Sequence, residues 1–473
     1  MSHRFPDHAQ NPYLNSNYAP IAEEYDLEEL EVLGSIPKDI SGAYFRNGPN
    51  PKFEPKGRYH WFDGDGMIHG LYLENGKAKY CNRWVKTYGL KAEEKESKSL
   101  WRGLIEPEMD HPISPLKDTS NTDLWMHQGK LLSTWYRCGQ VYEVNPRNLQ
   151  TLGTAKFQKD IKALVASHGK VDPDNHDMMI FNYNMKAPYL CYGVINKSRK
   201  VVNWTAIDLP GPRFPHDIAI TKNYTIIGDF PVLLNQEALK SGKWRMDFHA
   251  DMPTRYGIIP RYGQAADVKW IEGKPGYVYH TINAWEDGAK IIMTGCFVDE
   301  PVPKRTEGEN ELQRMIKNLQ LHARFYRWVF DLEAGTLQEE FLDDWNTEFP
   351  MMNQEFLTKP SRFSYHVHIA EKDTLLFNGL VKYDSEEKTR KIYRYPEGQY
   401  CSESPFIPKK DPISEDDGYI ISFVNFADAR NSEVHLFNAK EIDSGPIAKI
   451  LIPHHIPAGY HACWANTEEM GDF

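Results

Sequence analysis

Several features are missing from this 473-residue sequence, and each absence argues against a class of protein. No run of about 18 apolar residues occurs, so a membrane-spanning helix is not expected. Residues 1–20 are polar and contain no apolar stretch of the signal-peptide kind. The six cysteines never form a CxxC pair, which argues against a zinc ribbon or a small disulfide scaffold. No GxGxxG loop follows a strand-like run, so a dinucleotide cofactor is not indicated.

The charge balance is acidic, with 66 Asp and Glu against 55 Lys and Arg, giving a net charge of −11. Nucleic acid is therefore not expected as a partner, because phosphate binding favours a basic face. The scattered cysteines are typical of a reducing compartment, so we expect a cytoplasmic protein. A peripheral membrane contact stays open, because hydropathy does not register a small apolar patch. The sequence does not indicate the oligomeric state.

Short strand-like runs separated by turn residues dominate the chain. Residues 130–136, 178–183, 224–228 and 291–294 are rich in aromatic and β-branched side chains, and Asn75-Gly76 lies between two such runs in a hairpin pattern. Repeated hairpins over this length predict an all-β barrel, sandwich or propeller, and a propeller accommodates the length in one closed body. Helical spacing is clear over 309–319, which we interpret as an insertion. We expect one domain over 1–473, with 1–20 as a polar tail.

Four of the 18 histidines lie in strand-like or tightly turned apolar sequence: His168, His216, His280 and His461. A polar imidazole in such surroundings needs a partner, because its burial alone is unfavourable. The separations of 48, 64 and 181 residues exclude a local metal loop. They fit a closed β architecture whose inner strands converge on one axis. From the residues alone, a metal-binding role and an ordinary structural role both stay open.

Residues 41–51 (SGAYFRNGPNP) and 59–69 (YHWFDGDGMIH) resemble the opening of the carotenoid cleavage oxygenase family. The resemblance continues through 120–123 (SNTD), the four histidine segments, 348–350 (EFP) and 415–418 (EDDG), and it ends at 461–464 (HACW). This family also includes enzymes that cleave stilbenes and phenylpropanoids. The resemblance implies an all-β, seven-bladed β-propeller with a dome of loops and short helices over a central iron site.

The resemblance also implies a ligand set. The family's iron-binding histidines match His168, His216, His280 and His461, which implies Fe(2+) as the cofactor. Two family glutamates that accept hydrogen bonds from ligand imidazoles match Glu348 and Glu403. The alternative for a single glutamate is an ordinary solvated surface charge.

One position departs from the family pattern. A third glutamate normally lies fourteen residues after the threonine of the Asn-Thr motif, and Tyr136 occupies that place here. We expect this change to alter how firmly His216 is held, although a phenol or a carbonyl could accept the imidazole proton. Thr122 matches the family threonine that crowds an open iron position, and an ordinary strand threonine is the alternative.

The implied reaction is cleavage of a C=C bond by O2 into two carbonyl products, so the expected partners are O2 and a small apolar alkene. Stilbene-cleaving relatives hold a phenol with a Tyr and a Lys, and Leu104 and Trp135 occupy those positions here. A carotenoid or apocarotenoid substrate is therefore favoured, with Phe62 as a candidate tunnel wall. Alkenylphenols held through Tyr136 or Arg137 are the alternative.

Two further hypotheses stay open. The propeller could bind a ligand without catalysis, in which case it would have no need of iron. Within the family pattern, alkene isomerisation or ester hydrolysis would leave O2 out of the products.

Overall fold

The computed structural model describes residues 5, 8–106, 108–240, 245–304 and 306–471. These residues form a seven-bladed β-propeller, as the sequence predicts. Each blade is an antiparallel sheet of four to six strands. Aromatic and β-branched side chains from adjacent blades pack together into a set of apolar clusters, which form the core between blades.

We number the blades along the chain. Blade 1 contains Asp26–Leu27, Lys77–Trp84, Gly66–Glu74, Gly42–Pro49 and Ala462–Asn466 in spatial order. Blade 2 contains Leu124–His127, Lys130–Ser133, Tyr142–Val144 and Thr151–Thr154. Blade 3 contains Lys170–Val171, Met178–Tyr183, Leu190–Ile195 and Val201–Ile207. Blade 4 contains Ile218–Ile220, Tyr224–Asp229, Thr254–Pro260 and Lys269–Gly273.

The remaining blades follow the same plan. Blade 5 contains Tyr277–Asp287, Lys290–Val298, Arg324–Asp331 and Thr336–Phe341. Blade 6 contains Thr347–Met351, Phe363–Ile369, Phe377–Asp384 and Thr389–Arg394. Blade 7 contains Val32–Gly34, Ala448–Ile452, Ser432–Asn438, Gly418–Phe426 and Gln399–Tyr400, with Phe406–Pro408 also paired to Gly418–Phe426. A separate ribbon joins Val232–Leu234 to Met246–Phe248.

The two ends of the chain close the ring. Ala462–Asn466, near the C-terminus, pairs with Gly42–Pro49 in blade 1. Val32–Gly34, near the N-terminus, pairs with Ala448–Ile452 in blade 7. Because each end completes a blade begun by the other, a propeller of this kind leaves few exposed strand edges.

One edge strand of each blade faces the propeller axis. Ala462–Asn466 contacts Leu124–His127, which contacts Lys170–Val171, and this series continues through blades 4, 5 and 6. The side chains at the start of these inner strands therefore converge, although they are far apart in sequence.

The predicted hairpin around Asn75-Gly76 is confirmed. Gly66–Glu74 pairs with Lys77–Trp84, and the two turn residues have φ values of +52° and +76°. Positive φ at both central positions is the two-residue hairpin geometry that Asn-Gly favours. The strand-like run 130–136 is only partly a strand, because regular pairing ends at Ser133.

Helices are few and lie in the connections. The described α-helices are Tyr88–Glu96, Gln158–Ile161, Gln236–Lys240 and Glu311–Lys317, and the 3-10 helices are Pro12–Leu14, Ser16–Tyr18, Trp61–Asp63, Ala265–Asp267, Gln354–Phe356 and Ile442–Ser444. The helix predicted over 309–319 corresponds to Glu311–Lys317. Asn310 caps its N-terminus, because the Asn310 side chain accepts a hydrogen bond from the backbone N–H of Gln313. None of the helices in the described ranges has the length and hydropathy of a membrane span.

Candidate metal centre and adjoining cleft

The four predicted histidines meet on the propeller axis. One nitrogen from each of His168, His216, His280 and His461 lies within 4.8 Å of the other three. The closest measured pair is Nε2 of His168 and Nε2 of His216, which are 3.1 Å apart. Each histidine lies in or just before the inner strand of its blade, so the four come from blades 3, 4, 5 and 1. This placement explains how their wide spacing in sequence produces one cluster.

The other three blades supply carboxylates to the same cluster. Asp123 lies just before the inner strand of blade 2, Glu348 lies in that of blade 6, and Glu403 lies between two short strands of blade 7. All three side chains are buried. Four blades thus supply imidazoles to the cluster, and the other three supply acids.

Each carboxylate contacts one imidazole at Nδ1. Asp123 Oδ2 is 2.8 Å from Nδ1 of His168, and Glu348 Oε2 is 2.5 Å from Nδ1 of His280. Glu403 Oε1 is 3.1 Å from Nδ1 of His461. A carboxylate at Nδ1 selects the tautomer that carries the proton there and leaves the Nε2 lone pair free. Within the described ranges, His216 has no carboxylate at its ring.

Glu348 and Glu403 are also tied to the backbone beside the cluster. Glu348 Oε2 accepts the backbone N–H of Phe349 at 2.5 Å. Glu403 Oε2 accepts the backbone N–H of Ala462, the residue after His461, also at 2.5 Å. Each glutamate therefore orients an imidazole and fixes a strand at the same time.

The electrostatics favour the neutral form of three of the four imidazoles. Burial lowers the pKa of His168, and it lowers the pKa values of His216 and His280 well below the usual range. For His461, burial works in the same direction, but the neighbouring Glu403 raises its pKa overall. Neutral imidazole is the form that binds a metal ion.

A metal ion fits this arrangement. Nε2 of His280 is buried and has no hydrogen-bond partner in the described structure, which is unfavourable for a polar atom unless it binds a ligand. The neighbouring Nε2 atoms face the same space, and the Nδ1 atoms behind three of them are held by acids. Imidazole is a ligand for zinc, copper, iron and nickel, so the donor set alone does not select the metal.

A second network joins three of the histidine strands. Asp217, the residue after His216, accepts hydrogen bonds from the backbone N and the hydroxyl of Thr281, both at 2.8 Å. Lys170 Nζ lies 2.8 Å from the other oxygen of Asp217. Because Thr281 follows His280 and Lys170 follows His168 by two positions, this network fixes the three strands relative to one another.

Thr122 lies at the edge of the cluster. Its backbone oxygen accepts the N–H of His461 at 3.4 Å. Its hydroxyl donates to Asn121 Oδ1 at 3.1 Å and accepts the backbone N–H of Tyr136 at 3.0 Å. The structure thus places the Asn-Thr motif against one predicted ligand, and it connects this motif directly to position 136.

Tyr136 does not replace the expected glutamate as a hydrogen-bond acceptor. No hydrogen bond joins its phenol to any of the four histidines in the described part of the chain. Its ring instead packs edge-to-face against Phe62 at 5.0 Å, and burial raises the pKa of its phenol to about 12. The backbone oxygen of Tyr136 accepts the hydroxyl of Tyr183 at 2.5 Å. Position 136 therefore contributes an aromatic wall.

Phe62, Leu104 and Trp135, three of the predicted substrate residues, line one cleft. Phe62 also contacts Tyr460, the residue before His461, at a ring distance of 5.3 Å. An aromatic layer made of Phe62, Tyr136 and Tyr460 thus lies between the cleft and the histidines. None of the four histidines lines this cleft in the described structure, and Phe62 connects it to the aromatic residues beside them.

Polar groups fix the walls of this cleft. Asp63 accepts the backbone N–H of Leu104 at 2.8 Å and that of His60 at 2.7 Å, and burial raises its pKa to about 7. Lys117 lies 2.5 Å from both Asp65 and Glu93, so its charge is neutralised inside the protein. These contacts join the segment before the Asn-Thr motif to the 59–66 segment.

Sequence reasoning missed Asp123, Asp217 and Asp63 as parts of the site. A signal was present in each case, because Asp123 follows Thr122 and Asp217 follows His216. Asp63 follows Phe62 in the same way. The pattern of an aspartate directly after a candidate site residue would have identified all three.

Comparison with known proteins agrees with the fold and the cluster. The family described as retinal pigment epithelial membrane protein matches residues 18–466. A carotenoid 9,10(9',10')-cleavage dioxygenase of Crocus sativus is 33% identical, covering 97% of this chain and 90% of that protein. An isoeugenol monooxygenase of Pseudomonas nitroreducens is 29% identical, with coverage of 96% and 98%.

A solved structure shows the same architecture. The lignostilbene dioxygenase of Pseudomonas brassicacearum superposes with a TM-score of 0.86 at 26% identity, covering 98% of this chain and 100% of that one. The family match spans nearly the whole chain, including all four histidines and all three carboxylates. The chain therefore belongs to the retinal pigment epithelial membrane protein family, the family of the carotenoid cleavage oxygenases.

Proposed function

We propose that this protein is a non-haem Fe(II) dioxygenase that cleaves a C=C bond of an apolar conjugated alkene with O2, giving two carbonyl products. The observation that carries the proposal is the convergence of four imidazole nitrogens within 4.8 Å on the propeller axis. The orphaned Nε2 of His280 and the carboxylates behind three rings support a bound cation there.

Iron is the metal that best suits the proposed reaction. His168, His216, His280 and His461 would hold a ferrous ion, which would supply the chemistry of O2 activation. Four neutral ligands leave the ion its full charge, and the family relatives named above are oxygenases. The electrons balance without another cofactor, because breaking both bonds of the alkene supplies all four electrons that reduce O2.

The protein's own residues hold and orient the reactants. Asp123, Glu348 and Glu403 hold three imidazoles in the metal-binding orientation. The hydroxyl of Thr122 is fixed between Asn121 and Tyr136, and its backbone oxygen accepts the N–H of His461. We assign Thr122 a role in directing where O2 and the alkene approach, because productive cleavage needs both in one geometry.

A carotenoid or apocarotenoid is the substrate class that we favour. Leu104 and Trp135 place apolar side chains where a phenol-binding pair would stand in stilbene-cleaving relatives, although charged residues such as Lys117 also line the cleft. Phe62 connects this part of the wall to Tyr460, the residue before His461. The Crocus sativus relative, named a carotenoid 9,10(9',10')-cleavage dioxygenase, has the highest identity among the relatives described above.

An alkenylphenol is the second candidate, and a specific observation favours it. The Tyr460 hydroxyl and the Trp135 indole N–H are buried without hydrogen-bond partners in the described structure. A phenolic hydroxyl in the aromatic layer would give such groups a partner. The match to the relative named isoeugenol monooxygenase extends over 98% of that protein's length.

The test is an incubation of iron-loaded protein with carotenoids, apocarotenals, stilbenes and isoeugenol, with mass spectrometry of the carbonyl products. The proposal predicts paired carbonyl fragments from one apocarotenoid double bond, and none from the His280→Ala protein. Fragments only from isoeugenol would select the second candidate. If anaerobically purified wild type binds no iron and yields no fragments, the protein is a binding propeller and the enzymatic proposal is wrong.

A cytoplasmic location, with contact to a membrane surface when an apolar substrate is taken up, stays a prediction from the sequence. Cell fractionation with a tagged chain would test it. Recovery mainly in the soluble fraction, with a membrane-associated part that detergent releases and high salt does not, is the expected result for contact through an apolar patch.

A further inference from the structure

We propose that Asp123 is a positioning residue that holds His168 for metal binding, so that blade 2 contributes to the centre without providing a ligand. This inference rests on the proposed iron site. It assigns a role to a residue that follows the Asn-Thr motif and that had no expected function in the sequence. Its basis is the set of contacts around a single buried carboxylate.

Both oxygens of Asp123 are fully engaged. Oδ1 accepts the backbone N–H of Leu124 at 2.7 Å. Oδ2 accepts the indole N–H of Trp125 at 2.8 Å and faces Nδ1 of His168 at 2.8 Å. Because its own strand and the neighbouring indole fix the carboxylate, Asp123 presents a rigid acceptor to the imidazole.

Trp125 completes a closed unit with the histidine. A Cβ at Gly169 would lie 2.9 Å from the Trp125 ring, so the indole packs directly on the backbone next to His168. The same indole donates to Asp123, which in turn holds the imidazole. Ring, carboxylate and histidine backbone therefore form one rigid arrangement between blades 2 and 3.

The backbone of His168 shows why such support is needed. Its φ of +61° lies in the left-handed region, which is unfavourable for a residue other than glycine. The second torsion of a histidine side chain is intrinsically broad, so the ring needs an external contact to keep one orientation. Asp123 provides this contact and directs Nε2 towards Nε2 of His216.

The resulting centre is asymmetric. His168, His280 and His461 each face a carboxylate, whereas His216 has none within the described ranges. We therefore assign His216 as the ligand that can adjust its orientation most easily. Loss of Asp123 would leave two of four rings unsupported by an acid, on adjacent blades.

Asp123→Asn is the sharpest variant, because it keeps the size of the side chain. An asparagine amide has one acceptor oxygen, and the carboxylate now serves three N–H donors on two oxygens. Either orientation of the amide places its NH2 group against at least one donor. The orientation with fewer conflicts sets the NH2 group against the Leu124 N–H and leaves His168 a neutral acceptor in place of a carboxylate, so the variant should fold but hold His168 less firmly.

A matched control is available. Asp177→Asn changes an aspartate with the same 9% exposure, which accepts the Tyr262 hydroxyl and has no contact with the histidine cluster. Trp125→Phe is a second test that removes the indole N–H together with the outer ring atoms that pack on Gly169. If circular dichroism and thermal melting show that Asp123→Asn folds poorly, Trp125→Phe serves as the test in its place.

The experiment measures ferrous ion binding under anaerobic conditions by competition with a chelator, and the EPR spectrum of the ferrous–nitric oxide adduct. We expect Asp123→Asn to weaken iron binding by about 10- to 100-fold, the usual effect of losing a partner of a metal-binding histidine. Its EPR spectrum should be broader and of altered rhombicity. Trp125→Phe should change both in the same direction but less, and Asp177→Asn should change neither.

Wild-type affinity and an unchanged spectrum in Asp123→Asn would overturn the inference. If that variant does not fold, an unchanged Trp125→Phe protein would overturn it instead. The proposed function fails separately, because in that case the wild type itself would bind no iron.

Discussion

The Asp217 carboxylate accepts two hydrogen bonds from Thr281, through its backbone N and its hydroxyl, each at 2.8 Å. These residues directly follow His216 and His280, so one side chain sets the spacing of two candidate ligands from different blades. Because His216 has no carboxylate at its ring in the described structure, its position depends on this backbone connection and on ring contacts such as that with Tyr279.

Asp217→Asn should therefore lower the affinity for ferrous iron by about tenfold or more, as loss of an outer support of a metal site does. The measurement is anaerobic chelator competition. Thr281→Ser keeps the hydroxyl and should bind iron as the wild type does, whereas Thr281→Val should show an intermediate loss. Equal affinity in all four proteins would show that the strands hold the site without this network.

Ferrous iron should stabilise the folded protein. A ligand that binds only the native state adds about 2.7 kcal/mol when its free concentration is 100 times its Kd. We expect the Tm of the metal-free protein to rise on adding iron anaerobically, and a chelator to reverse the rise. His280→Ala should abolish the shift, and replacement of the exposed His322 by Ala should leave it intact. A shift that survives His280→Ala would place the metal elsewhere.

The cleft should accept a phenol if hydrogen-bonding side chains replace Leu104 and Trp135. Leu104→Tyr combined with Trp135→Lys places a hydroxyl and an ammonium group in the cleft lined by both residues. A hydrogen bond to a charged group contributes about 1.5–3 kcal/mol, so kcat/KM for a 4-hydroxystilbene should rise about 10-fold or more relative to an apocarotenoid. The check is competition between the two substrates. An unchanged preference would show that substrate selection lies outside this cleft.

Asp63 should make stability depend on pH. Burial raises its pKa to about 7, whereas an unfolded aspartate has a pKa of about 3.9. Between these two pKa values, Asp63 keeps its proton in the folded state and loses it in the unfolded state. The contribution of Asp63 to the free energy of unfolding therefore falls as pH rises, and it is constant above about pH 7.

The comparison that isolates this effect is the wild type against Asp63→Asn in thermal melts. The Tm of Asp63→Asn should increase relative to that of the wild type as pH rises from about 4 to about 7, and the difference should be constant above that. A difference that is independent of pH would mean that Asp63 titrates normally in the folded protein.

The sequence predicted the propeller and its four converging histidines well, for identifiable reasons. Alternating turn residues and β-rich runs are local signals, and an imidazole in an apolar strand marks a polar group that needs a partner. Motif resemblance then selected His168, His216, His280 and His461 from the 18 histidines. The structure brings these four together.

The remaining parts of the site depend on contacts between blades, which no local pattern contains. Asp123 meets His168 across 45 residues, and Asp217 meets Thr281 across 64. The sequence predicts that Tyr136 affects His216 because a hydrogen-bond acceptor is missing at that position. In the structure the tyrosine ring packs against Phe62. The contact that Tyr136 makes depends on the direction of its side chain after the strand ends at Ser133, and the spacing of residues in the sequence does not give that direction.

Labelled oxygen tests the central claim most directly. The iron-loaded wild type is incubated briefly under 18O2 with the apocarotenoid or alkenylphenol that it turns over, and the carbonyl products are trapped as oximes or reduced before they exchange with water. The account predicts one 18O atom in each of the two fragments and no product from His280→Ala. Product in which neither fragment carries 18O would contradict it and would assign the centre to isomerisation or hydrolysis.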